Sequence, residues 1–393
     1  MALELDPREA PAWPELWRSR LGGPDELDRS GVWRFREMLP FLGLEVPVVS
    51  LGEGQTPLLE APEAAAWARL GRLQVKQQGS NPTGSFKDLG MTVCVTVALA
   101  RGARAVACAS TGNTAASMAA YAARAGLQAV LFVARGSVSG AKLAQALDHG
   151  ALVVECGANF DGALALLRRL APELGFQLVN SINPFRLEGQ KTVVIELLEQ
   201  RGWRVPDWIA VPGGNLGNVS ALAKGLRELL DVGLIRSVPR LAVIQAQGAA
   251  PLVTLLERGA AQLVPLETPR TRASAIRIGN PANWTKALRA LRWSEGAAVA
   301  VSDQEIALAK RALARDGVGC EPASAAALGG VRRLVRSGTI GPDDDVVAIL
   351  TGHQLKDVEY IEETGVGEGR TLQLDAGAEG AFETVRNWLR GFA

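Results

Sequence analysis

The sequence predicts an α/β fold, parallel sheets with helices covering both faces, and three observations predict it. Short apolar segments alternate with Ala- and Leu-rich stretches of helical spacing from Leu73 onward. Clusters of Gly, Ser, Thr and Asn come directly after several apolar segments, where the carboxyl ends of parallel strands open into ligand-binding loops. The chain has 393 residues, 48% of them hydrophobic and 21% charged, enough to bury a large core without staples.

Taken in order, residues 1–50 are rich in Pro and Trp and weakly periodic, and read as a strapping segment with short helices, one of them at Trp33–Leu39. Strands are expected at 73–77, 105–110, 129–134, 152–156, 177–180, 208–212, 240–246, 297–301 and 345–350. Helices are expected in Ala- and Leu-rich stretches between them, such as 86–100, 114–125, 160–171, 187–201 and 303–315. Strands separated by helices make parallel sheets. With domains usually running to roughly 100–200 residues, the length fits two domains or one large domain with a smaller insertion. Asp343, Asp344 and Asp345 read as a solvated turn.

Composition excludes several classes. There are 42 basic and 41 acidic residues, for a net charge of +1, so the one-sided basic footprint of a nucleic-acid binder is missing. The four cysteines, Cys94, Cys108, Cys156 and Cys320, form no C-x-x-C pair, which argues against a zinc site or disulfide framework and suits a reducing compartment. Met1–Pro14 has neither a basic nor an apolar region, so no secretory signal is expected. No apolar stretch reaches the ~18 residues of a membrane span, and the expectation is a cytoplasmic protein acting on a small molecule, with no membrane and no nucleic-acid partner. Only two histidines, His149 and His353, are available for metal sites or triads, and only eight of the 42 basic residues are lysines. A lysine in an unusual setting therefore stands out.

Lys87 has such a setting. In Asn81–Asp88, Pro82 and Gly84 make a turn and Ser85 can cap a helix starting near Phe86, which puts Lys87 in the first helical turn. The helix dipole favours anions there, so a purely structural lysine is poorly placed, while an amine that must be uncharged part of the time gains. The alternative is a lysine that snorkels to solvent. Pro212–Asn218 follows a strand and precedes an Ala/Leu helix, an arrangement that cradles phosphate through backbone N–H groups. It matches neither G-x-x-x-x-G-K-[ST] nor G-x-G-x-x-G, and a tight turn without a ligand is the alternative. Ser110–Thr114 can bind a carboxylate or simply cap a helix, and by itself it reads as a cap. Thr351, at the end of the last strand, can face a ring nitrogen. Together the four loops ask for a phosphate, a heteroaromatic ring, an amine-reactive carbonyl and a carboxylate-bearing substrate. Pyridoxal 5′-phosphate (PLP) with an amino acid satisfies all four.

The motifs carry a resemblance over most of the chain, from Trp33 to Asp357. They are SLGEGQTPLL at Ser50–Leu59, NPTGSFKDLGM at Asn81–Met91, ACASTGNTAASMAAYAARAG at Ala107–Gly126 and NSINPFRLEGQKT at Asn180–Thr192. GGNLGN at Gly213–Asn218, IRIGNPANW at Ile276–Trp284, CEPASAAAL at Cys320–Leu328 and LTGHQLKD at Leu350–Asp357 complete them. With these the sequence resembles the threonine synthase family, in the tryptophan-synthase-β-like group of PLP enzymes (fold type II). FKD at the lysine, rather than the FK-x-R-G of the threonine and serine dehydratases, favours the synthase branch. Leu89 departs from the Arg usual there, and Gln354 from the usual Gly.

The resemblance implies two open twisted sheets with flanking helices, a small domain (91–185) inserted in a large PLP-binding domain (51–90 and 186–360), and a tail at 361–393. It implies Lys87 as the Schiff-base lysine, Asn113 on the pyridine 3′-oxygen, Gly214, Asn215, Leu216, Gly217 and Asn218 on the cofactor phosphate, and Thr351 on the ring nitrogen. Ser110, Thr111, Asn113 and Thr114 would hold the substrate carboxylate; Asn180, Ser181, Arg186 and Asn215 would hold a substrate phosphate. The implied reaction is conversion of O-phospho-L-homoserine and water to L-threonine and phosphate, by a homodimer with no bound metal. Two rivals remain open at this point: a related fold type II enzyme, such as cysteate synthase or threonine dehydratase, and a non-catalytic homologue that binds a phosphate ligand.

Overall fold

The computed structural model describes residues 5–41, 46–135, 141–156, 160–363, 372–374 and 380–390. Residues 1–4 and 42–45 of the expected strap lie outside the described residues, as do 364–371, 375–379 and 391–393 of the expected tail. Met1–Lys356 forms one compact unit and Asp357–Ala393 a second. The second contains the helices Val358–Glu363 and Ala381–Arg390.

The first unit runs α1 (Trp13–Ser19), β1 (Leu58–Glu60), α2 (Pro62–Ala68), β2 (Leu73–Gln77), α3 (Lys87–Ala100), β3 (Ala105–Ala109), α4 (Asn113–Arg124) and β4 (Gln128–Val133). It continues through α5 (Ala141–Asp148), β5 (Leu152–Glu155), α6 (Phe160–Leu174), β6 (Phe176–Leu178), α7 (Pro184–Gln190), α8 (Thr192–Gln200), β7 (Trp208–Pro212) and α9 (Gly217–Asp231). The remainder is β8 (Arg240–Ala246), α10 (Pro251–Glu257), α11 (Trp284–Trp293), β9 (Ala297–Val301), α12 (Asp303–Arg315), α13 (Pro322–Arg336) and β10 (Val346–Leu350). Six strands form one sheet in the order β1-β2-β10-β7-β8-β9, and four form another in the order β5-β4-β3-β6. Every pairing is parallel except β1 with β2. The fold is therefore the expected α/β one, with two sheets and flanking helices.

Each expected strand is present within a residue or two of its expected bounds. β2, β3, β7 and β10 are buried along their whole length, as parallel strands covered on both faces must be. The antiparallel β1 was not expected. The stretch expected as one helix over 187–201 is two, α7 and α8. Pro184 opens α7 with Asn183 as its cap, so Arg186 sits in a helix. The acidic cluster does more than meet solvent: Asp345 pairs with Arg201, and Asp344 accepts from the Trp208 indole at 3.0 Å. The amino-terminal segment packs on the rest of the unit. Trp17 packs edge-on to Phe35 with ring centroids 5.1 Å apart, and Arg34 pairs with Glu199 of α8 at 2.6 Å.

Two contacts set the site's geometry. A Cβ on Gly189 of α7 would fall 1.8 Å from the Leu89 carbonyl of α3, so these helices cross backbone to backbone. Leu89 is buried in the large apolar core. The 50–59 segment is held by two buried carboxylates. Glu196 accepts from Gln55 N, Thr56 N and Lys76, while Glu53 accepts from Ser50, Leu51 N and the Tyr121 hydroxyl of α4.

Candidate active site

Parallel pairing brings the carboxyl ends of β2, β7 and β10 to one edge of the larger sheet, and those of β3 and β6 to one edge of the smaller. The loops after β2 and β10 are zipped together: Phe86 N donates to Thr351 O at 3.0 Å, and His353 N to Gly84 O at 2.9 Å. One pocket is lined by Lys87, Ser181, Arg186, Gly214, Asn215, Leu216, Gly217, Asn218 and Thr351, together with Phe86, Gln190 and Ala323 among others.

Lys87 opens α3 and lies with its amine 4.1 Å from the Phe86 ring centroid. Burial pushes its pKa down to about 7; the Arg186 guanidinium pushes the same way and Glu321 opposes. A lowered pKa leaves more of the amine neutral near pH 7, the condition for attack on a carbonyl. Arg186 is 1% exposed. Its Nη1 donates to Val179 O at 3.1 Å, its Nε has no partner, and among the described residues no carboxylate pairs with it. Burial lowers its pKa too.

The glycine-rich turn after β7 leads into α9, with Leu216 in the left-handed region at φ 61°. A Cβ on Gly214 would stand 3.1 Å from Ala275 O, so the turn is pressed against residues 275–276. At its helical end the Asn218 amide is buried with neither Oδ1 nor Nδ2 bonded. Asn215 is clamped: Ala282 N donates to its Oδ1 at 3.3 Å and Asn283 N to its carbonyl at 3.2 Å.

Ser110–Thr114, none of them among the residues lining that pocket, leads into α4, whose cap is Gly112 with no side-chain hydrogen bond. Ser110 Oγ accepts from Gly112 N at 3.1 Å, and none of these hydroxyls caps α4 as the sequence suggested. Asn113 Nδ2 donates to both Glu321 oxygens, at 3.1 and 3.2 Å, while its Oδ1 is buried without a partner. Thr351 Oγ1 lies 3.0 Å from Ser324 Oγ. Of the residues expected on a substrate phosphate, Ser181, Arg186 and Asn215 line the pocket. Asn180 instead uses both ends of its amide on the Ala109 backbone, at 3.2 and 3.1 Å, and ties β6 to β3.

Three residues of the site escaped sequence reasoning. Asp88, fully buried, accepts from Thr83 N at 2.7 Å, Thr83 Oγ1 at 2.6 Å and Ser117 Oγ of α4 at 2.6 Å. Glu321 precedes Pro322 at the start of α13 but does not cap that helix; it turns toward Asn113 and fills the space beside Gly352, where a Cβ would come within 2.6 Å of it. Asn283 is the third. Their only signal was position, beside Lys87 or just ahead of a helix.

A cofactor that brings a phosphate and an aldehyde fits this arrangement. The unsatisfied Asn218 amide and the turn at the start of α9 suit the phosphate, and the neutral amine of Lys87 suits the aldehyde. Fold and site define a PLP-dependent α/β enzyme. The model of the family "Pyridoxal-phosphate dependent enzyme" matches residues 49–352. A threonine synthase of Methanosarcina acetivorans is 50% identical over 331 residues, 84% of this chain and 81% of the relative. Another, of Methanocaldococcus jannaschii, is 48% identical over 83% of this chain and 81% of the relative. Among solved structures, diaminopropionate ammonia lyase from Escherichia coli superposes with a TM-score of 0.70 at 17% identity, covering 88% of this chain and 95% of its own, and so speaks for the fold alone. The chain belongs to the PLP-dependent enzymes and, within them, to the threonine synthases, which are lyases.

Proposed function

We propose that the protein converts O-phospho-L-homoserine and water to L-threonine and inorganic phosphate, with Lys87 as both anchor of PLP and carrier of protons. The observation that carries this reading is Arg186, a buried cation that meets no carboxylate among the described residues, in the same pocket as Lys87. An unpaired buried charge is costly, and a planar guanidinium suits a phosphate held by paired hydrogen bonds. Ser181 and Asn215 line the same wall. Asn180 would join them only by giving up its bonds to Ala109.

Bound on the turn at Gly214–Asn218, with Asn113 and Thr351 about its ring, PLP supplies an electron sink for the charge left at Cα. Ser110, Thr111, Asn113 and Thr114 take the substrate carboxylate, a reading supported by hydroxyls that do not cap α4. Lys87 Nζ takes the proton from Cα, becomes neutral again once that proton has passed to the electron sink, and then takes one from Cβ and hands it to Cγ, because it is the amine beside these carbons. The Cγ–O bond breaks with its electron pair going to phosphate, Cγ gains a proton, and the oxygen of water bonds to Cβ. Cα then regains its proton from Lys87, and the proton left from water goes with the phosphate. Neutral Lys87 is the form able to do this, and its lowered pKa supports the role.

The same reading takes the four-stranded sheet as the small domain (91–185) set into the large one (51–90 and 186–360), in a cytoplasmic homodimer. Four free, buried cysteines agree with a reducing compartment, and among the described residues no helix is long and apolar enough to cross a membrane. The test is phosphate release from O-phospho-L-homoserine by the PLP-loaded protein, with L-threonine and O-phospho-L-serine as comparison substrates. Release from phosphohomoserine, with little turnover of the others, is expected. Equal rates on unphosphorylated threonine refute the reading. Lys87→Ala is expected to lose both turnover and the cofactor absorbance near ~410–430 nm that a lysine-bound aldehyde creates.

A further inference from the structure

We propose that Asn283 is a positioning residue for the phosphate end of the substrate, holding Ser181 and Asn215 on one amide, with Lys286 bracing that amide from behind. Asn283 is 2% exposed and stands at the position that caps α11. Asparagine is among the strongest caps, because its side-chain oxygen accepts from the first N–H groups of the helix. Here it makes no such bond. Its Nδ2 donates instead to Ser181 O at 3.1 Å and Asn215 O at 3.4 Å, and its Oδ1 accepts from Lys286 Nζ at 3.3 Å.

The two carbonyls come from different sheets: Ser181 follows β6 of the smaller one and Asn215 follows β7 of the larger. A primary amide has two N–H donors, one for each carbonyl, so the side chain sets the distance between the two loops. The backbone adds to the clamp, since Ala282 N holds Asn215 Oδ1 and Asn283 N holds the Asn215 carbonyl. With its oxygen so occupied, Asn215 has its Nδ2 left for the pocket it lines. Helix capping would need none of this. A bridge between two anion-binding loops needs all of it.

The inference rests on the reading of Ser181, Arg186 and Asn215 as the substrate-phosphate site, and the experiment separates the two. In the PLP-loaded protein, Asn283→Ala and Asn283→Asp are compared with wild type and with Lys286→Met. Asp keeps the size and the acceptor for Lys286 but has no donor for the carbonyls, so it is expected to behave as Ala does. Both should raise KM for phosphohomoserine roughly tenfold, the size of losing hydrogen bonds of this kind. The constant for inhibition by inorganic phosphate should rise in step, with kcat changing less and cofactor affinity and absorbance unchanged. Lys286→Met should give a smaller rise of the same kind. Wild-type KM in Asn283→Asp, a lower melting temperature with KM unchanged, or a loss of cofactor affinity parallel to KM each overturns the proposal. Calorimetric titration of inorganic phosphate onto the same proteins tests the bridge without turnover: weaker binding to both Asn283 variants than to wild type supports it, and equal binding overturns it even if the substrate proves to be another phosphorylated amino acid.

Discussion

Replacing Arg186 with Met should leave the fold no less stable while removing the ability to hold a phosphorylated substrate. This guanidinium is 1% exposed, donates one bond to Val179 O, has an Nε with no partner, and meets no carboxylate among the described residues. Burying an ion without a partner costs several kcal/mol, and apolar replacements of similar volume at buried ionic positions have been neutral or stabilising by about 1–4 kcal/mol. Against that stands the one bond lost to Val179, about 1 kcal/mol. The balance favours Met, and the melting temperature of the cofactor-free protein should hold or rise. For the substrate the sign reverses. Charge-assisted bonds contribute about 1.5–3 kcal/mol each, so losing even the stronger of two should raise KM about a hundredfold at about 1.4 kcal/mol per decade. A third readout is independent of both. Arg186 helps to hold the Lys87 amine down at about 7. Without it Lys87 should titrate higher, and the pH at which the apoprotein captures PLP should move upward. Thermal melts, steady-state kinetics and a pH series of cofactor absorbance read all three. A variant that melts several degrees lower, keeps its KM and captures PLP over the same pH range would show that Arg186 is structural and would remove the main support for a phosphate-bearing substrate.

Asp88 and Gly189 yield the other two predictions. Burial, with Glu53 adding, raises the Asp88 carboxyl from 3.8 to about 6, while bonds from Ser117 and Thr83 hold it down. Its contribution to stability is complete below its ordinary pKa and is lost as pH rises through about 6, so Asp88→Asn should gain on wild type between pH 4 and 7 by on the order of 3 kcal/mol. Urea denaturation at both pH values checks this, and a pH-independent difference refutes it. Gly189→Ala would drive a methyl into the Leu89 carbonyl at 1.8 Å. It should cost at least about 1–3 kcal/mol in the same assay, and turnover should fall as α3 and α7, with Lys87 and Arg186, are forced apart; an unchanged urea midpoint refutes it.

The strands were legible because a parallel strand covered on both faces has to be apolar throughout, as Trp208–Pro212 and Val346–Leu350 are. β1 was not, because it is three residues long, antiparallel and partly exposed at an edge. α13 was less legible for a different reason. Its Ala, Ser and Gly residues carry little apolar signal, and they are small because α13 lies close on the sheet, where a Cβ on Gly330 would meet Ile244 at 1.9 Å. At the site, Lys87 and the turn at 213–218 could be found because the chain itself supplies their helix ends. Asp88, Glu321 and Asn283 could not. Each has the look of a helix-start residue, and each bonds to a part of the chain distant from it in sequence or on another element.

Those three share a physical logic with Lys87 and Arg186. Every one is a polar group withdrawn from water, and in Arg186, Asn113 and Asn218 at least one polar atom is left unsatisfied by the protein itself. Native structures keep such atoms rare because each costs about 1–3 kcal/mol. They persist here because the surrounding backbone leaves no alternative: α3 and α7 cross at Gly90 and Gly189 with no room for a side chain between them, and the β2 and β10 loops are zipped on either side of Ser85. The close packing that carries no chemistry thus holds in place the charges that do. A ligand that brings anions to Arg186 and to the start of α9 would bond to groups for which the fold itself supplies no partner. On the proposed reading of Arg186, selectivity for phosphorylated amino acids would follow from what the fold withholds from that side chain, since an unphosphorylated competitor leaves the guanidinium as it was.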